Sequence, residues 1–243
     1  MLFRSVSRGQ SFIAARFDSK AYLGLHLTVA IIIAVLGLWL FGTLLDAVLD
    51  NALIVKFDLA AAEWIHGSVT ATGLTIFNGI TQLGSPTAMV GLAVIGGVIL
   101  AVKRRWTMLI GWLAAFVGGT IIDQLLKNGV ARNRPNYGAA YLHGHSFSFP
   151  SGHAMGSIIG YSMLVYVLFS YWHPGALTRR TLTFLAGAMV IAVGVSRVYL
   201  GVHYPSDVIG GFAAGAAWAA VCVSGIGIAL HHKKGPQRLI DGE

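Results

Sequence analysis

The sequence predicts an all-α, polytopic membrane protein with six transmembrane helices and a functional site at the helix ends. Composition, the lengths of the apolar runs and the placement of the basic residues lead there. Of 243 residues, 56% are hydrophobic and 11% charged, against roughly 25% charged in a soluble domain. Mean hydropathy is +0.71. Apolar runs at 22–45, 106–126, 151–172, 181–200 and 208–230 match the roughly 20 residues that cross a bilayer as a helix. A shorter run, 87–102, follows Ser85 and Pro86, an N-cap and a first-turn proline, and is read as the sixth span. No soluble domain fits between the runs, so residues 1–243 read as a single integral-membrane domain. The single cysteine, Cys222, lies in the last run and excludes a disulfide framework or a cysteine metal cluster.

Taken in order, the chain opens with Arg4, Arg8, Arg16 and Lys20, a basic start like that of a signal peptide. The first apolar run is long and no small-residue cleavage site follows it, so an uncleaved first span is expected. Residues 46–86 are apolar with five charged residues and include "DLAAAEWIHG" from Asp58. They are expected to form short helices lying on the interface or dipping into it. With six spans and the N-terminus in the cytoplasm, that side receives twelve of the 17 basic residues: Arg4, Arg8, Arg16, Lys20, Lys103, Arg104, Arg105, Arg179, Arg180, Lys233, Lys234 and Arg238. Lys56, Lys127, Arg132, Arg134 and Arg197 stay on the other. The positive-inside rule therefore predicts that both termini are cytoplasmic. The net charge of +8 is spread over short segments, not gathered into one basic face, which excludes nucleic acid as a partner.

Four of the five exceptions fall in two places, "KNGVARNRP" at 127–135 and "SRVYLGVH" at 196–203. "FPSGHAMGS", from Phe149, opens the fourth span between them. If the helix ends at 127, 151, 200 and 208 are neighbours, the cations Lys127, Arg134 and Arg197 meet His153, His203 and Asp207 at one extracytoplasmic surface. Cations with arginine's planar fork and no opposing carboxylate cluster suit a phosphate. Ser151 and Gly152 at a helix start add free backbone N–H groups and the positive end of the helix dipole. Two histidines complete the parts for covalent phosphoryl transfer, a neutral imidazole to attack and an imidazolium to protonate the departing oxygen. An aspartate four residues after His203 can hold its ring in one tautomer. With no second carboxylate cluster for magnesium or zinc, catalysis without a metal or other cofactor is expected.

These three blocks resemble the signature of the type 2 phosphatidic acid phosphatase family, shared with bacterial acid phosphatases and vanadium haloperoxidases. Lys127 with Arg134 and Pro135, Pro150 to His153, and Ser196 and Arg197 with His203 and Asp207 occupy every motif position. The resemblance implies that His203 is the nucleophile that forms a phosphohistidine and that Asp207 pairs with its other ring nitrogen. It implies that His153 is the general acid, then the base that activates water. Lys127, Arg134, Arg197, Ser151 and the Gly152 N–H would hold the phosphoryl oxygens.

Neighbouring residues have plainer readings. Asp123 is expected to pair with Lys127 along one helix. His143 and His145 lack a third ligand and read as polar loop residues. Arg132 touches substrate or faces water. The glycines of "GSIIG" at 156–160 and "GFAAG" at 211–215 let helices pack closely, and Tyr199 and Tyr204 sit at headgroup level.

A site at the outer surface, reached from the bilayer, implies a lipid phosphate as partner. By resemblance the candidates in a bacterial cytoplasmic membrane are undecaprenyl diphosphate, phosphatidylglycerol phosphate and phosphatidate. A phosphotransferase using the same phosphohistidine is the alternative enzyme. A non-enzymatic anion-binding protein is disfavoured, since binding needs the cations but neither a nucleophile nor an acid.

Overall fold

The computed structural model describes residues 24–135 and 146–240, all helices and connections with no strand among them. The N-terminal basic residues and the His143–His145 pair lie outside the described residues. Helix α1 spans Gly24–Leu49, α2 Leu53–His66, α3 Ala71–Gln82 and α4 Pro86–Val102. Helix α5, Trp106–Leu113, passes through a π-helical turn at Ala114–Gly118 into α6, Gly119–Val130. Then come α7 (Gly152–Trp172), α8 (Ala176–Tyr199) and α9 (Pro205–Ile240).

Among the described residues, six helical stretches are long and apolar enough to cross a membrane. Five coincide with the expected runs. The second is longer than expected: it runs from Ala71 to Val102, 32 residues, so α3 joins α4 in one apolar stretch instead of lying in an interfacial segment that ends at 86. The two helices meet at Leu83–Ser85, where the Ser85 hydroxyl accepts the Ala88 N–H and Pro86 fills the first turn, as the sequence indicated. Only α2, with Asp58 and Glu63, remains apart from the spans.

Helix α9 is the central post, packed along α1 on one side and α7 on the other. The α7–α9 crossing depends on glycine. A Cβ at Gly211 would lie 2.5 Å from the Ser151 carbonyl oxygen, and one at Gly215 would lie 2.3 Å from Ile158. Small residues let the two backbones approach this closely. Around the crossing, Trp112, Ala115, Phe149, Met155, Met163 and Ile226 are buried. The indole N–H of Trp112 donates to the Ala93 carbonyl at 2.9 Å, so the ring's polar edge is satisfied inside the bundle. Apolar side chains such as Val35, Leu38, Trp39, Ile95 and Ile110 face outward, the pattern of a lipid-facing surface. The C-terminal ends of α6 and α8 and the N-terminal ends of α7 and α9 meet at one end of the bundle.

Candidate active site

The segment after α8 sets the geometry. Gly201 turns the chain in the left-handed region, φ 66°, a conformation glycine adopts without penalty. His203 then enters the bundle end, buried. Its two ring nitrogens face different partners. Arg134 Nη1 lies 3.2 Å from Nε2, while Asp207 Oδ2 and Ser148 Oγ each lie 3.4 Å from Nδ1. A guanidinium only donates, so Nε2 offers its lone pair and the proton resides on Nδ1, facing the carboxylate. That is the tautomer a nucleophilic Nε2 needs. Burial pushes the His203 imidazole down to about 3, against the pull of Asp207 and with Arg134 and Arg197 adding to the drop.

Asp207, fully buried near the start of α9, is held on both oxygens. Oδ2 accepts the Ser148 hydroxyl at 2.5 Å and the Tyr204 N–H at 2.8 Å; Oδ1 accepts Arg132 Nη1 at 2.6 Å. Its carbonyl accepts the Ser151 N–H at 2.9 Å, tying the start of α9 to the start of α7.

Lys127 is 4% exposed near the end of α6. Its ammonium donates to Asp123 Oδ1 at 2.7 Å, the i, i+4 pair the sequence suggested, and to the Pro150 carbonyl. A Cβ at Gly152 would lie 2.9 Å from Asp123 Oδ2, so a larger residue there would displace the Asp123 carboxylate that holds Lys127. Arg134 donates to the Ser146 carbonyl and hydroxyl and to the Val202 carbonyl, at 2.8, 2.9 and 2.9 Å, which fixes its plane beside His203. Burial lowers its guanidinium, with Asp207 and Asp123 opposing. Arg197 Nη1 donates to Thr81 on α3 at 2.9 Å.

Two buried polar atoms here have no partner among the described residues: Ser151 Oγ and Arg197 Nε. Buried polar groups are normally paired, and both belong to residues expected to hold an anion. Lys127, Arg134, Gly152, His153, Arg197 and His203 all line one end of a cavity of about 910 Å³. The cavity continues between α4 and the α5–α6 stretch past Met89, Val94, Leu109 and Phe116 to Ala101. All eight sequence-predicted site residues are thus brought to one end of the bundle, Asp207 and Ser151 from behind.

Some residues sit elsewhere than expected. Arg132 neither faces water nor lines the cavity: it bridges Asp58 and Asp207, with its guanidinium 4.4 Å over the Tyr204 ring. Tyr199 and Tyr204 are packing residues as well as end-of-helix aromatics, since the Tyr199 hydroxyl accepts the Thr70 N–H and its ring packs 4.3 Å from Phe77. The sequence reading missed Asp58, Thr81, Ser148 and Ser206. Only Asp58 carried a signal, an aspartate within an apolar segment. Among the described residues, no group of three histidine, cysteine, aspartate or glutamate side chains could hold a metal ion.

The PAP2 superfamily profile matches residues 106–228, which contain every one of these motif residues. The chain belongs to the PAP2 superfamily. It is a membrane phosphatase of this type. Phosphatidylglycerophosphatase B of Bacillus subtilis is 32% identical, over 74% of this chain and 88% of that protein. Decaprenylphosphoryl-5-phosphoribose phosphatase of Mycobacterium tuberculosis is 33% identical, over 54% of this chain and 67% of its own length. The crystal structure of a transmembrane PAP2-type phosphatidylglycerolphosphate phosphatase from Bacillus subtilis superposes with a TM-score of 0.71 at 30% identity, covering 78% of this chain and 93% of that one.

Proposed function

We propose that this PAP2 phosphatase removes the terminal phosphate of a membrane lipid through a phosphohistidine on His203, with phosphatidylglycerol phosphate as the leading substrate. The carrying observation is the Nε2 of His203, faced by the Arg134 guanidinium at the head of an apolar cavity running between helices, which Arg197, whose buried Nε lacks a partner among the described residues, also lines. Phosphate oxygens suit Arg197 and the neighbouring cations, and the apolar lining suits the hydrocarbon chains of the same molecule.

In the first step His203 Nε2 attacks phosphorus as the bond to the lipid oxygen breaks, and His153 gives that oxygen its proton. The imidazolium that forms keeps its Nδ1 proton directed at Asp207. In the second step His153 takes a proton from water, the water oxygen attacks phosphorus, and the P–N bond breaks to release inorganic phosphate and neutral His203. Lys127, Arg134 and Arg197 stabilise the charge on the phosphoryl oxygens in both transition states.

The similarity to the Bacillus subtilis enzyme favours phosphatidylglycerol phosphate over undecaprenyl diphosphate and phosphatidate. The unequal distribution of basic residues favours an extracytoplasmic site in a bacterial cytoplasmic membrane. The test is phosphate release by detergent-purified protein, with chelator, from the three lipids in parallel and with His203→Ala as control. The expected result is fastest release from phosphatidylglycerol phosphate and none above background from the variant. Activity retained by His203→Ala would overturn the mechanism, a different ranking would reassign the substrate, and transfer to an added alcohol would identify a phosphotransferase.

A further inference from the structure

Helix α2 buries an aspartate where an amphipathic helix would bury leucine. Its buried residues are Asp58 and Ala62, while Phe57, Leu59 and Trp64 face outward. A fully buried carboxylate is costly unless it is paired and hydrogen-bonded. Asp58 Oδ1 accepts the Ser206 N–H at 3.0 Å, and Oδ2 accepts the Ser206 hydroxyl and Arg132 Nη2, the latter at 2.8 Å. Ser206 is the second residue of α9, so Asp58 caps, from 148 residues away in sequence, the helix that carries Asp207. Negative charge is favoured at a helix start.

Arg132 divides its fork. Nη2 holds Asp58, while Nη1 holds Ser206 Oγ at 2.8 Å and Asp207 Oδ1 at 2.6 Å. Burial weakens this guanidinium's charge, but Asp207 and Asp58 outweigh it and raise its pKa. Oδ1 of Asp207 is thereby taken up, and Oδ2 is left to Ser148, Tyr204 and the His203 ring. Asp58, Arg132 and Asp207 together carry one net negative charge, which the imidazolium formed on attack neutralises.

We propose that Asp58 and Arg132 are positioning residues of the phosphatase reaction, fixing Asp207 and setting how much of its charge His203 experiences. They touch neither substrate nor the reacting atoms, so they act through Asp207. The proposal rests on His203 being the nucleophile. The other charged or titratable groups sharing the cavity end with His203 are Arg134 beside Nε2, Arg197 on α8, His153 on α7 and the Lys127–Asp123 pair on α6.

The two residues have opposite signs, which separates positioning from mere structure. Arg132→Gln leaves Asp207 less neutralised, favours the imidazolium, and moves the acid limb of kcat/KM upward by about one pH unit or more. Asp58→Asn removes a negative charge and gives no upward movement. Each variant loses kcat by about 10- to 100-fold, the scale of a small misplacement, with KM within about 3-fold of wild type. The double variant Asp58→Asn/Arg132→Gln is no slower than the worse single one, because both act through one carboxylate. Ser206→Ala removes a single hydroxyl bridging the pair and serves as the mild variant, with about a 3- to 10-fold loss of kcat.

The experiment measures kcat, KM and pH profiles of these variants in detergent, beside wild type and His203→Ala, with thermal unfolding to establish folding. Folded Asp58 and Arg132 variants with wild-type kcat, equal movement of the acid limb in both, or losses that multiply in the double variant would each overturn the proposal. If the larger substitutions do not fold, an unchanged kcat in Ser206→Ala overturns it. Activity in His203→Ala would instead strike the phosphohistidine reading itself.

Discussion

At the scale of single residues, the proposed chemistry turns on which nitrogen of His203 is bare. Arg134 on Nε2 and a carboxylate near Nδ1 leave one tautomer, and burial keeps that ring uncharged down to about 3. In the proposed mechanism protonation of His203 destroys the nucleophile, so the acid-side loss due to this ring comes as pH drops through its lowered folded-state value, below the ordinary histidine range near 6.5. The acid limb of kcat/KM, corrected for titration of the substrate phosphate, therefore falls well below pH 6.5. A wild-type acid limb at 6.5 would contradict this, since it would mean that burial does not hold the ring uncharged. The motif residues themselves were legible, because histidine, arginine and aspartate have few reasons to sit among apolar runs. Ser148 and Ser206 were not, since a serine in a loop or at a helix start has many uses and only the fold shows which carboxylate it meets.

At the scale of elements, the α7–α9 crossing holds Ser151 and Asp207 together. Gly211 sits against the Ser151 carbonyl, so Gly211→Ala forces the two helices apart at the site. The expected cost is on the order of 1–3 kcal/mol, as in other overpacked interiors, read as a lower thermal midpoint in detergent together with reduced kcat. Gly225 and Gly227 on the same helix have open space around them, and alanine there is expected to leave both quantities at or above wild type. The small-residue spacing announced this crossing in the sequence. The junction of α3 and α4 was harder to read, because Asn78, Thr81 and Gln82 interrupt the apolar pattern just where the chain enters the site. Thr81 accepts a hydrogen bond from Arg197, so a polar contact inside the bundle obscured the span.

At the scale of the molecule, six apolar stretches, the site's cations at one end and an apolar cavity leading from them fit the proposed handling of a charged headgroup attached to hydrocarbon. Run lengths revealed the bundle, but helix α2 joined the site through Asp58, a contact between residues far apart in sequence that no local pattern encodes. In the orientation proposed from the basic-residue distribution, Arg104 is cytoplasmic and Asn128 is outside. In a Cys222→Ser background, Asn128→Cys should react with a membrane-impermeant maleimide in intact cells, and Arg104→Cys only after permeabilisation. The reverse pattern would invert the topology.

The most direct test of the central claim is capture of the phosphoenzyme. Purified protein is mixed with lipid carrying a radiolabelled terminal phosphate, in the presence of chelator, quenched in alkali within one turnover and digested. The account predicts label on the peptide containing His203, stable to alkali, released by acid, and absent from His203→Ala. Turnover by the wild-type protein with no labelled histidine at any time, or label on another side chain, would contradict it.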